Sequence, residues 1–255
     1  MMVYGVIDIM LSALKKTVYS ALFVMVAVQQ GHAAIALDRT RVIFDGSQKS
    51  VSLRISNQNK QLPYLAQGWL EDEEGNKIKS PLIVLPPVQR VEPGKPGQVK
   101  IQALPAVAGL PQDRETIFYF NLREIPPRSD KSNTLQIALQ TRIKLFYRPA
   151  SIMPKSNQSP WQEQLTLSKK GNKFIVNNPT PYYVTIVDAS NKVKTRGPKD
   201  FVPFMVPPKG ESELSVSAPV VGNTPVLTYI NDYGGYPQLS FHCEGSTCKV
   251  IPEKS

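Results

Sequence analysis

The longest regular pattern in the chain is "TLQIALQTRIKLFYRP", residues 134–149, where apolar and polar positions alternate without a slip. Leu135, Ile137, Leu139, Thr141, Ile143, Leu145 and Tyr147 share one parity. Gln136, Gln140, Arg142, Lys144 and Arg148 share the other, with Ala138 and Phe146 among them. Side chains of a strand point to opposite faces in turn, so the pattern predicts one strand over Thr134–Tyr147. Its fourteen residues would span about 46 Å, against about 17–20 Å for an ordinary strand. A core strand used wholly inside its own sandwich alternates in the same way. The excess length instead points to an apolar stretch without internal cover, the kind of edge that completes another protein's sheet.

Shorter strand signals fill the rest of the chain. "RVIF", "VSLRIS", "YLAQGWL", "LIVL", "QVKIQAL" and "TIFYFNL" come before the long run, separated by turn formers such as "DGSQ", "DEEGNK" and "EPGKPG". Seven strands at that spacing, ending near Arg148, predict an immunoglobulin-like sandwich. The polar connector "SIMPKSNQSP" follows. A second series then runs through "EQLTLS", "KFIVNN", "YYVTIVD", "FVPFMV", "ESELSVSA", "PVLTYIND", "QLSFHC" and "CKVIP". The 23 prolines suit turns and strand edges rather than helices. The expectation is an all-β chain of two sandwich domains, 34–149 and 150–255.

The first 33 residues read as a secretion signal. Lys15 and Lys16 precede the short apolar run "TVYSALFVMVAV", and Gly31 and Ala33 are the small residues that favour cleavage before Ala34. Met10 offers an alternative start. Cleavage leaves 222 of the 255 residues and lowers the formal charge from +10 to +9. The cations are scattered with no run of five or six, which argues for solubility charge rather than a nucleic-acid partner. Nor is membrane insertion expected once the signal is gone.

The two cysteines, Cys243 and Cys248, flank "EGST". With a single histidine in the mature chain, His242, a zinc site lacks ligands, and no metal or cofactor is expected. An exported chain can oxidise the pair instead, as a bridge across a hairpin tip. Catalysis is not expected either. There is no "GxSxG" elbow or phosphate-binding glycine loop, and "DEEG" (72–75) reads as a solvated hairpin tip.

Several motifs carry a resemblance: "LDRTRVIFDG", "NKQLPYLAQGWL", "PPVQRVEPG", "LPQDRETIFYFNLREIPPRSD", "LQIALQTRIKLFYRP", "NPTPYYVT" and "YINDYGG". Together, from about Ala34 to Cys248, the chain resembles the periplasmic pilus chaperones of the PapD type. The resemblance implies two immunoglobulin-like domains set at an angle around a cleft. It implies an ATP-independent chaperone in the periplasm that lends a strand to pilus subunits, pilins or an adhesin, and passes them to an outer-membrane usher. Leu135, Ile137 and Leu139 take the place of the residues that fill a subunit's groove. Arg41 and Lys144 take the place of the pair that binds the subunit's C-terminal carboxylate. Glu115, Arg148 and Asp232 fall where an inter-domain ion network bridges the hinge. The short turn "REIPPRSDKSN" resembles the subfamily serving rod-forming pili, and "LPP" (85–87) falls where a cis proline is common. An open lending edge also allows a self-capping homodimer of the free protein. A structural pilus subunit or adhesin is the alternative reading, although such a subunit should carry a donor extension before one incomplete sandwich. The stretch "VDASNKVKTRGPKDFVPF" (187–204) carries no motif of the resemblance.

Overall fold

The strand-forming runs pair into two successive β-sandwiches in a computed structural model that describes residues 33–130, 133–155 and 159–252. The expected leader lies outside the described residues apart from Ala33. In the first sandwich β1 (Ile35–Leu37), β2 (Arg41–Asp45), β3 (Ser50–Asn57) and β4 (Tyr64–Glu71) are followed by β5 (Lys77–Ile78), β6 (Leu82–Leu85) and β7 (Val88–Val91). Then come β8 (Pro96–Ala103), β9 (Thr116–Ile125) and β10 (Gln140–Arg148). One layer has the order β1-β3-β8-β6. The other runs β2-β10-β9-β4-β5, with β7 also paired to β4. Phe44, Leu53, Ile55, Phe120 and Leu145 are fully enclosed between the layers. The Leu85–Pro86 peptide bond is cis, as is Ser80–Pro81.

The second sandwich comprises β11 (Thr166–Lys170), β12 (Lys173–Asn178), β13 (Val184–Ser190) and β14 (Phe204–Val206). It continues with β15 (Gly210–Ser217), the short helix α1 (Ala218–Val221), β16 (Val226–Ile230), β17 (Gln238–Glu244) and β18 (Thr247–Val250). Its eight strands form one continuous ladder, β14-β13-β16-β17-β18-β11-β12-β15, that folds over its own core. The turnover point is β17. Its first residues, Gln238–Ser240, pair with β16, and Phe241–Glu244 pair with β18. Cys243 and Cys248 face each other across that last pairing and are disulfide-bonded. Only Gly245 and Ser246 turn the hairpin, and Gly245 takes the left-handed conformation that suits glycine, φ +62°.

Several expected strands are shorter than their runs, and two show why. In "FVPFMV" pairing begins at Phe204, because Pro203 has no N–H to give the ladder. In "EQLTLS" the start is a 3₁₀ turn, Trp161–Gln164.

The largest correction concerns the long strand. Pairing begins at Gln140, so Thr134–Leu139 is not part of β10. The cause lies on the neighbour. Gln140 pairs with Arg123 of β9, and continuing that antiparallel register sets Ile137 and Gln136 opposite Pro126 and Pro127. Prolines cannot donate, so the ladder stops. One last backbone bond, from Glu124 N–H to the Leu139 carbonyl at 3.0 Å, ends it. Beyond that point the Gln136 side-chain amide donates to the Pro127 carbonyl.

Candidate functional site

Along β10 the apolar parity splits into two parts. Ile143, Leu145 and Tyr147 are buried in the first core. Leu135, Ile137 and Leu139 have no such cover and are 83%, 62% and 42% exposed. The backbone there is open as well. On its other side β10 pairs with β2 in parallel, but only from Lys144 opposite Arg41 to Arg148 opposite Asp45. Residues 135–143 therefore have no partner on the β2 side among the described residues. The result is an unpaired apolar edge that ends at two cations.

Those cations are strand neighbours, and the second sandwich closes over them. Lys144 Nζ donates to Thr185 Oγ1 at 3.3 Å, and Arg41 Nη1 donates to the Ile230 carbonyl at 3.3 Å. Thr185 and Ile230 are themselves register partners between β13 and β16. Two paired residues of one domain thus meet two paired residues of the other. Neither cation forms an ion pair among the described residues, and Arg41 Nε is buried without a hydrogen-bond partner. Burial, and then the positive charge of Arg41, pulls the Lys144 ammonium below its usual range. Burial pulls the Arg41 guanidinium down too, partly offset by Asp232, Tyr236 and Glu115. Two partly desolvated like charges with spare donors repel each other when empty, and an anion between them would relieve that repulsion.

Glu115, Arg148 and Asp232, three residues far apart in sequence, are brought together. Arg148 is 3% exposed, and its Nε donates to Glu115 Oε1 at 2.7 Å. Its Nη1 and Nη2 donate to the two Asp232 oxygens at 2.8 and 3.1 Å, a bidentate pair. Glu115 Oε2 accepts the Tyr183 N–H at 2.8 Å, so the carboxyl, one residue before β9, joins the first domain to the second. Burial pushes the Glu115 carboxyl up, against the pull of the Arg148 guanidinium and the Tyr183 N–H. The guanidinium lies 5.0 and 4.9 Å from the ring centres of Trp161 and Tyr182. A cleft of about 1290 Å³ opens beside this network, with Arg41, Arg148, Trp161, Tyr182 and Tyr233 in its walls.

Sequence reasoning missed Thr185, the Ile230 carbonyl, Trp161 and Tyr182. Tyr182 and Thr185 lie in "NPTPYYVT" and Ile230 in "YINDYGG", but the motifs gave these residues no role, and Trp161 carried no signal, because the roles come from contacts between domains.

The chain matches two family models. Residues 34–153 match "Pili and flagellar-assembly chaperone, PapD N-terminal domain". Residues 160–241 match "Pili assembly chaperone PapD, C-terminal domain". Among curated proteins, the chaperone protein PapD of Escherichia coli is 52% identical over 94% of this chain and 100% of that protein. The chaperone protein PmfD of Proteus mirabilis is 45% identical over 95% of this chain and 96% of that protein. Among solved structures, the periplasmic chaperone SfaE superposes with a TM-score of 0.63 at 32% identity, covering 81% of this chain and 98% of that one. In fold the chain is also similar to one from the Salmonella enterica complex of the SafA pilin with the SafB chaperone, TM-score 0.67 at 23% identity, over 84% of this chain and 98% of that one.

Proposed function

Because the chain belongs to the PapD-type family of pilus-assembly chaperones, we propose that it captures pilus subunits in the periplasm by lending them residues 135–139. The observation that carries this reading is the open edge itself, three exposed aliphatic side chains leading to an unpaired Arg41–Lys144 couple. Leu135, Ile137 and Leu139 enter the groove of a subunit whose own sandwich lacks a strand. The subunit's C-terminal carboxylate sits on Arg41 and Lys144 and fixes the register, so each side chain meets its pocket. Burying three aliphatics contributes about 1.5–3 kcal/mol each, so about 5–9 kcal/mol together. Each main-chain hydrogen bond adds about 0.5–1.5 kcal/mol. The plug supplies the affinity and the backbone supplies direction.

The expected leader, residues 1–33, directs export and is cleaved before Ala34. Among the described residues no helix is long and apolar enough to cross a membrane. Delivery to an outer-membrane usher completes the cycle, and the subunit's own folding energy drives release. Without a subunit, the same edge caps a second copy of the chain. The family is one of chaperones, not an enzyme class.

Co-purification from a periplasmic extract, with mass identification of the retained proteins, tests this reading. Pilus subunits are the expected catch. Recovery of none from a piliated strain rejects capture. Ile137→Asn probes the plug on its own. The side chain is 62% exposed, so stability is unchanged, while subunit affinity falls about ten- to hundred-fold.

The carboxylate anchor also sets a pH dependence. The folded pKa of Lys144 is lowered, so the empty protein gains stability as pH rises from that lowered value towards the unfolded one. A bound carboxylate favours the protonated lysine, so binding takes up a proton in the same window and weakens as pH rises through it. Calorimetry of a peptide with a subunit's C-terminal sequence should show this alkaline loss in the wild type and not in Lys144→Arg. A flat profile in both removes Lys144 from the anchor.

A further inference from the structure

The segment between β13 and β14 lies outside the open edge and the Arg41–Lys144 couple, and it is rich in cations. Lys192, Lys194, Arg196 and Lys199 fall within eight residues, and all four are exposed. Among the described residues none of them forms an ion pair, whereas Lys170 and Lys173 of the same domain pair with Glu211 and Glu213. Valines accompany the cations, with Val193 between two lysines at 46% exposed and Val202 at 62%.

The backbone that carries these charges is fixed in place. Both Asp188 carboxylate oxygens accept the Gly197 N–H, at 3.1 and 3.0 Å, and Oδ1 also accepts the Ala189 N–H at 2.9 Å. Gly197 has no room for a side chain, since an added Cβ would lie 2.1 Å from the Ala189 carbonyl oxygen. Ser190 Oγ donates to the Lys192 carbonyl at 2.8 Å, and the Lys194 N–H donates to Gln238 Oε1 at 2.9 Å. Lys194 sits in the left-handed region, φ +59°, which a lysine adopts only when its surroundings demand it. A free loop would spread like charges apart. This one presents its cations from a held backbone, and like charges near one another gain from a counter-charge.

We infer that this segment docks on an anionic phospholipid surface, its cations at the headgroup phosphates and Val193 and Val202 at the acyl boundary. Cations interleaved with exposed aliphatics fit a layered interface, where charge lies above an apolar interior. The inference does not rest on subunit capture.

The test is co-sedimentation of the mature chain with vesicles of phosphatidylcholine alone or mixed with phosphatidylglycerol. Wild type should prefer the anionic vesicles and lose that preference in high salt. Replacing Lys192, Lys194, Arg196 and Lys199 by Gln should lower binding about hundred- to thousand-fold, and Val193→Ser with Val202→Ser should lower it by a smaller factor. A matched quartet, Lys49, Lys60, Lys95 and Lys100 to Gln, removes the same charge from the first domain and should change binding little. Thermal unfolding of each variant confirms that it is folded. Equal binding to neutral vesicles overturns the inference. So does an equal loss in the two quartets, which would assign the attraction to net charge. Absence of vesicle binding, with loop-dependent retention of an acidic protein instead, overturns it in favour of protein docking.

Discussion

Alanine at Lys144 or at Arg41 should leave a folded protein that no longer recovers subunits. Neither cation holds an ion pair among the described residues, and each has one long hydrogen bond, 3.3 Å, to the opposite domain. Removing either therefore costs the fold little and relieves like-charge repulsion. The loss falls on the complex, where each charge-assisted hydrogen bond to the carboxylate contributes about 1.5–3 kcal/mol. Affinity should drop about ten- to hundred-fold per site, and recovery from an extract should fall below detection when register fails as well. Unfolding curves and subunit recovery, measured on the same preparations, check both halves. Normal recovery by both variants rejects the anchor.

Arg148→Ala should do the opposite and damage the fold itself. Its guanidinium is the shared partner of Glu115 and Asp232, and Glu115 is 3% exposed. Truncation leaves a buried carboxyl without its cation, a change that typically costs about 3–5 kcal/mol. For a chain of this size that lowers the melting temperature by about 6–20 °C. The loss should depend on pH with a definite sign. Burial already raises the Glu115 pKa, and removing the cation raises it further. A carboxyl whose folded pKa lies above its unfolded value favours folding at acid pH and loses that contribution as pH rises. The variant should therefore lie closest to the wild type in acid and fall furthest behind at neutral pH. Glu115→Gln in the same background should recover much of the stability, and a variant as stable as the wild type at neutral pH would remove the network from the account of the hinge.

Periodicity made most of this fold legible. "LIVL" and "KFIVNN" are strands from end to end, and the alternation around Leu145 marks a true core face. The disulfide followed from a four-residue spacing in a chain expected to be exported. The end of β10 was not legible, because what stops it is Pro126 and Pro127 on the adjacent strand. A period read along one strand is blind to a neighbour that cannot donate. The site shows the same limit. Leu135, Ile137 and Leu139 belong to an alternation that stood out by its own length, but nothing in the residues around Arg41 tied it to Lys144; the resemblance paired the two, and the parallel register sets them side by side. Glu115, Arg148 and Asp232 had no spacing in common. Only the resemblance joined them, since their encounter depends on how two domains meet.

Because Thr185 and Ile230 belong to one domain and Lys144 and Arg41 to the other, the proposed anchor keeps both of its interdomain hydrogen bonds only at one hinge angle. A client seated there should act as a splint. The empty chaperone should melt as two loosely linked blocks once Arg148 is lost, and the loaded one should melt as a single block. By thermodynamic reciprocity, whatever stiffens the hinge tightens the grip, so a receiver that twists the two blocks apart would loosen the cargo without touching the lent strand.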